Sequence, residues 1–125
     1  GRSAHSQRVR VGSASLLIDE MRQIVQRVAG TDQWQLRIEH DGYKDIVSVT
    51  WVPDANAVAT APRCLALYEA LMAHYPALDH LNREGLLELR VLSCNVTDLK
   101  LHPRSGKQMR VLDLRPYDAP SLETA

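Results

Sequence analysis

The sequence predicts an α+β fold. A mainly antiparallel sheet carries two amphipathic helices on one face, a two-layer sandwich in the order (β)-α-β-β-α-β-β. Three observations lead there. Leu17, Ile18, Met21, Ile24, Val25 and Val28 recur at spacings of three and four, the period of a helix with one apolar face. Trp34, Leu36 and Ile38 alternate with Gln35, Arg37 and Glu39, the period of a half-buried strand. Asp41-Gly42 then separates that run from a β-branched run, Ile46 to Val52, and Asp-Gly is a hairpin signal.

Taken in order, residues 1–12 read as a basic N-terminal arm or first strand, with Arg8-Val9-Arg10-Val11 as the extended part. A single α+β domain follows over residues 13–116. Ser13 or Ser15 is expected to cap the first helix, because a serine hydroxyl accepts from the orphan N–H groups of a first turn. Gly30 should close that helix in a left-handed conformation. Beyond the first hairpin, Val47, Val49 and Trp51 share one strand face. Thr60 is placed to cap a second helix, with Pro62 tolerated in its first turn.

The expected apolar stripe of that helix is Cys64, Leu65, Tyr68, Leu71, Met72 and Tyr75, and Pro76 should stop it. Leu78 to Glu84 reads as a short helical turn, and Leu86 to Cys94 as an apolar strand. The alternation changes phase at Ser93-Cys94-Asn95, which suggests a bulge or bend, and Val96 to Leu101 should continue extended. Residues 102–107 form a loop and Gln108 to Leu114 returns, so 99–110 reads as a hairpin. Residues 117–125 read as a flexible tail. The expected core includes Trp51, Leu36, Ile38, Val49, Ile24, Leu71, Leu89 and Val91.

The 125 residues are 45% hydrophobic and 24% charged, which suits one soluble domain. Lys plus Arg and Asp plus Glu are equal at 15 each, so overall charge argues for neither a nucleic-acid nor a membrane partner. No apolar run reaches the roughly 18 residues of a membrane span. Nothing resembles a signal peptide. Cys64 and Cys94 are isolated and read as reduced thiols, so the expected location is intracellular, in cytoplasm or an organelle matrix.

Residue spacing shows no catalytic constellation. The histidines, at 5, 40, 74, 80 and 102, include no i, i+4 pair of a zinc helix. Cys64 and His74 are on one helix, about 15 Å apart, and cannot meet. No serine lies in a G-x-S-x-G elbow. Asp41 and Asp45 flank a turn, and Asp19-Glu20 complement a helix dipole. Ser105-Gly106-Lys107 matches the end of a phosphate-binding loop, but its upstream glycine is missing and no helical pattern follows. The sequence therefore assigns no catalytic residue, no metal ligand and no cofactor, and a small enzyme is the least favoured class.

The charge layout is more informative. Lys100, His102, Arg104, Lys107 and Arg110 fall within Leu99–Arg110, and no acid does. Arg8 and Arg10 add charge in the N-terminal arm. These seven positions are the candidate binding residues. The leading reading is a non-catalytic interaction or assembly domain, a small subunit or part of a larger complex with a protein partner. The alternative is an RNA- or DNA-binding module that docks phosphates through the basic hairpin and arm. Against it, the strands lack exposed aromatics interleaved with basic residues. A plainer role for the basic residues is solubility and protection of a strand edge.

Overall fold

A computed structural model of the chain describes residues 7–54 and 60–116. Residues 1–6 of the expected N-terminal arm, and the expected tail at 117–125, lie outside those residues. β1 (Arg8–Val11) and β2 (Ala14–Leu17) pair antiparallel around Gly12 and Ser13. Gly12 has φ of 59°, which glycine adopts without steric cost, and a Cβ there would lie 3.1 Å from Leu81 Cδ1.

This hairpin displaces the expected serine caps. Ser13 sits in the turn and Ser15 in β2, so α1 (Ile18–Ala29) begins after Leu17, which has no capping side chain. Tyr75, at the junction of two later helices, supplies the missing contact. Its Oη lies 3.4 Å from the Leu17 N–H nitrogen, 3.3 Å from the Leu17 carbonyl and 3.1 Å from Glu20 Oε1. Burial, reinforced by the Glu20 carboxylate, pushes the Tyr75 phenol above its ordinary pKa, so it stays a donor. At the other end Gly30 closes α1 as expected, with φ of 71° and its N–H on the Val25 and Gln26 carbonyls.

β3 (Trp34–Asp41) and β4 (Lys44–Trp51) form the central hairpin, with Trp34 opposite Trp51 and Asp41 opposite Lys44. The Asp-Gly turn is where the sequence puts it. α2 (Thr60–His74) and α3 (Pro76–Arg83) follow, then β5 (Leu87–Ser93) and β6 (Val111–Asp113). The four-stranded sheet has the order β5-β4-β3-β6. The α+β two-layer arrangement stands, and the two antiparallel hairpins carry more residue pairs than the parallel pairings.

The last two strands depart from expectation. β5 runs parallel to β4, β6 runs parallel to β3, and the two lie on opposite edges. Residues 99–110 therefore do not join neighbouring strands. The helices α2 and α3 return the chain to the end of the sheet where β4 began, which makes the next strand parallel. Residues 94–110 then cross from one edge to the other. Within that crossing Val96–Asp98 is a 3₁₀ turn, not an extended segment. Asn95 and Asp98 hold it by reciprocal side-chain and backbone hydrogen bonds, so the phase change in the sequence marks an exit from the sheet.

Trp34, Leu36 and Ile38 of β3 and Val47, Val49 and Trp51 of β4 are fully buried on one face, packed with α1, α2 and α3. Leu89 is buried, while Val91 is only partly covered because β5 is an edge strand. The stripe on α2 is rotated from the expected one. Leu67 and Leu71 enter the core, Cys64, Tyr68 and Met72 sit at its margin, and Leu65 is 58% exposed. Pro76 does end α2, but as the first residue of α3, where its missing N–H costs nothing. Cys64 and Cys94 are free, partly covered thiols. No helix among the described residues is long and apolar enough to cross a membrane.

Candidate functional site

The basic loop has a fixed stem. Leu99 is buried, which pins one side. The buried side chain of Gln35 on β3 holds both sides of the loop. Its Nε2 donates to the Met109 carbonyl at 2.8 Å and the Lys100 carbonyl at 3.3 Å, and its Oε1 accepts from the Lys100 N–H at 3.4 Å. The Met109 N–H donates to the Lys100 carbonyl at 3.0 Å, and Leu101 bridges Gln108 antiparallel.

Arg110 locks the stem onto the sheet. Its guanidinium lies 4.4 Å from the centroid of the Trp34 ring, within reach of a cation–π attraction. It donates to the Trp34 carbonyl at 2.6 Å and the Asp32 carbonyl at 3.1 Å, and the Asp32 carboxylate is 3.7 Å away. Burial pulls the Arg110 pKa down and the Asp32 charge opposes it, so the group remains a cation.

The tip beyond that stem is closed by its own backbone. The His102 N–H donates to the Lys107 carbonyl at 2.7 Å, and the Gly106 N–H donates to the His102 carbonyl at 2.9 Å. Gly106 has φ of 72°, which the turn needs. The Arg104 N–H donates to His102 Nδ1 at 3.2 Å, which puts the proton of a neutral ring on Nε2. Ser105 Oγ accepts from the Lys107 N–H at 3.2 Å. The side chains of Lys100, Arg104 and Lys107 are exposed, with no ion-pair or hydrogen-bond partner among the described residues.

The candidate residues thus divide. His102, Arg104 and Lys107 share the exposed end of one loop, and Lys100 is exposed on its stem. Arg110 does not belong to an exposed patch: Asp32, far away in sequence, and the Trp34 ring hold it against the sheet. Arg8 and Arg10 are exposed on β1 but lie beside β6, where they border a hollow with Val111, Asp113 and Arg115. No residue of the 99–110 loop borders that hollow. Sequence reasoning missed Gln35, Trp34 and Asp32 as the residues that fix the loop. Gln35 carried a faint signal, a polar residue between Trp34 and Leu36. Among the described residues no cluster of His, Cys, Asp and Glu could hold a metal ion.

No family model matches the chain, and no curated protein matches it. Among the solved structures that resemble it is a domain of phenylacetate-coenzyme A ligase from Bacteroides vulgatus. The TM-score is 0.54 at 16% identity, over 91% of this chain and 98% of that one. At that identity the likeness shows a shared fold.

Proposed function

We propose that this chain is a binding domain that works as part of a larger protein or complex, and that the 100–107 tip docks on phosphate groups presented there. One observation carries the reading. The loop holds Arg110 inward on a locked stem, yet leaves Lys100, Arg104 and Lys107 exposed and without partners among the described residues. A fixed turn carrying free cations loses little freedom on meeting an anion, and charge-assisted contacts to phosphate are among the stronger hydrogen bonds.

The structural neighbour supports the choice of partner. It is a domain of an enzyme named for joining phenylacetate to coenzyme A. Coenzyme A carries a pyrophosphate and a ribose phosphate. On this reading Arg104 and Lys107 meet phosphate oxygens, Lys100 and His102 flank them, and the rest of the site lies on other surfaces. The domain adds positive charge to that site and holds no self-contained active centre. The uncovered sheet face, with Gln35, Arg37, Ser48, Thr50 and Arg90, offers no aromatic ring for base stacking, so a phosphate-rich cofactor fits better than a single-stranded nucleic acid.

Amide chemical shifts of the chain, titrated with coenzyme A and with phosphate-free pantetheine, test this. Coenzyme A should give saturable shifts at Ser105, Gly106 and Lys107 that weaken as salt rises, and pantetheine should give none there. Equal responses to both, or none to coenzyme A, would refute the phosphate reading. Tighter binding of a short RNA or DNA strand at the same amides would transfer the tip to nucleic acid.

A further inference from the structure

A different feature stands on the sheet face that the helices leave uncovered. Four arginines of the described chain are partly buried: Arg37, Arg63, Arg110 and Arg115. Arg63 donates to the Ala29 carbonyl, Arg110 is held by Trp34 and Asp32, and Arg115 pairs with Asp113. The Arg37 side chain has no hydrogen bond or ion pair among the described residues. A guanidinium without a partner keeps its hydrogen-bond donors free for an anion.

Strand register defines what surrounds Arg37. Ser48 lies directly opposite on β4, and Arg90 lies opposite Ser48 on β5. The next row on the same face is Gln35, Thr50 and Leu92. These residues line a groove of about 330 Å³, at the small end of ligand-pocket sizes. Ser48 is buried as a residue, and its hydroxyl has no protein partner among the described residues. Arg90 is already paired with Glu88 at 2.8 Å, and Glu39 also supports its charge. Arg37 is the groove's guanidinium without an ion pair or hydrogen bond of its own among the described residues, although Glu39 and Asp98 share the lining.

We infer that this groove is a binding site for a small monocarboxylate with an apolar body. The Arg37 fork receives the carboxylate, Ser48 donates a further hydrogen bond, and the body extends toward Leu92. A flat fork matches a planar carboxylate in two parallel hydrogen bonds. Glu39 and Asp98 also border the groove and disfavour a doubly charged phosphate. Leu92 is 51% exposed, two strands and one row from Arg37, so the strand spacing puts about 12 Å between their backbones. A carboxylate with a short chain and one ring spans that distance once the side chains reach inward.

The site is separate from the basic tip, and its test is separate too. The chain is titrated with 4-phenylbutyrate, with its neutral amide and with inorganic phosphate, followed by the Arg37 Nε–H signal and the Ser48 and Thr50 amides. Phenylbutyrate should give saturable shifts on all of them while Gly106 stays still, and should bind at least about tenfold tighter than the amide, a difference of about 1.4 kcal/mol. Arg37→Gln should weaken the acid about tenfold and leave the amide unchanged. Equal binding of acid and amide, tighter binding of phosphate, or an acid affinity unmoved in a folded Arg37→Gln protein would each overturn the assignment. The acid–amide comparison uses the unmodified chain, so it decides even if Arg37→Gln fails to fold.

Discussion

Arg110 and Lys107 are three residues apart in one loop, and the fold treats them in opposite ways. Arg110 lies over Trp34 and donates to two backbone carbonyls, while the Lys107 side chain is exposed with no partner among the described residues. The stem is built from sheet contacts, with Gln35 below and Leu99 buried beside it. The tip is built from its own backbone hydrogen bonds around Gly106. A run of like charge in a sequence is therefore not one functional unit. The part that meets an aromatic ring and a distant acid becomes structure, and the part that meets neither remains free for a partner.

The sharpest way to break that distinction is at the stem. Trp34→Ala removes a fully buried ring and the surface on which Arg110 rests, and should cost about 3–5 kcal/mol in denaturant unfolding. Gln35→Ala leaves the Met109 and Lys100 carbonyls without their side-chain donor and should cost about 1–3 kcal/mol. It should also speed hydrogen exchange at Lys100 and Met109 more than at strand amides of β4. Uniform exchange across the sheet would show that Gln35 serves the core at large. Arg110→Ala should cost about 1–2 kcal/mol, and Arg110→Lys should recover only part of that, since an ammonium cannot reproduce the guanidinium's contact with the Trp34 ring and both carbonyls. Full recovery by lysine would reduce the contact to plain charge.

The β3–β4 turn provides an exposed site with paired charges for comparison. His40 Nδ1 lies 2.8 Å from Asp45 Oδ1, and that hydrogen bond raises the His40 pKa above 6.5. A raised native pKa means that the pair contributes fully below the unfolded value and that its contribution fades as pH rises through the native one. The His40 ring protons should titrate above 6.5, and Asp45→Asn should bring the midpoint down. The smallest stability effect belongs to the tip. Arg104→Glu with Lys107→Glu should change unfolding by less than about 0.5 kcal/mol, because neither side chain holds anything in place.

What the sequence revealed depended on the range of the interactions involved. The helix stripe of α1, the alternation of β3 and the Asp-Gly turn are local signals, and the fold follows them. The α2 stripe slipped because Leu65 and Leu67 suit a helical core position equally well, and only packing against α1 and β5 selects Leu67. The parallel placement of β5 and β6 depends on where the helices return the chain, which no window of residues records. The exposed end of the loop was legible from its charges. Its stem was not, because Asp32 and Gln35 lie more than sixty residues upstream of their partners.

The phosphate proposal depends on the exposed side chains of Arg104 and Lys107. The most direct measurement is the coenzyme A affinity of the Arg104→Glu, Lys107→Glu protein beside the unmodified chain, in low salt, with unfolding curves on both. Unfolding midpoints should match, the unmodified chain should bind saturably, and the double variant should bind at least about tenfold more weakly, a loss of about 1.4 kcal/mol. Equal affinity in two folded proteins, or a double variant that unfolds, would contradict that proposal.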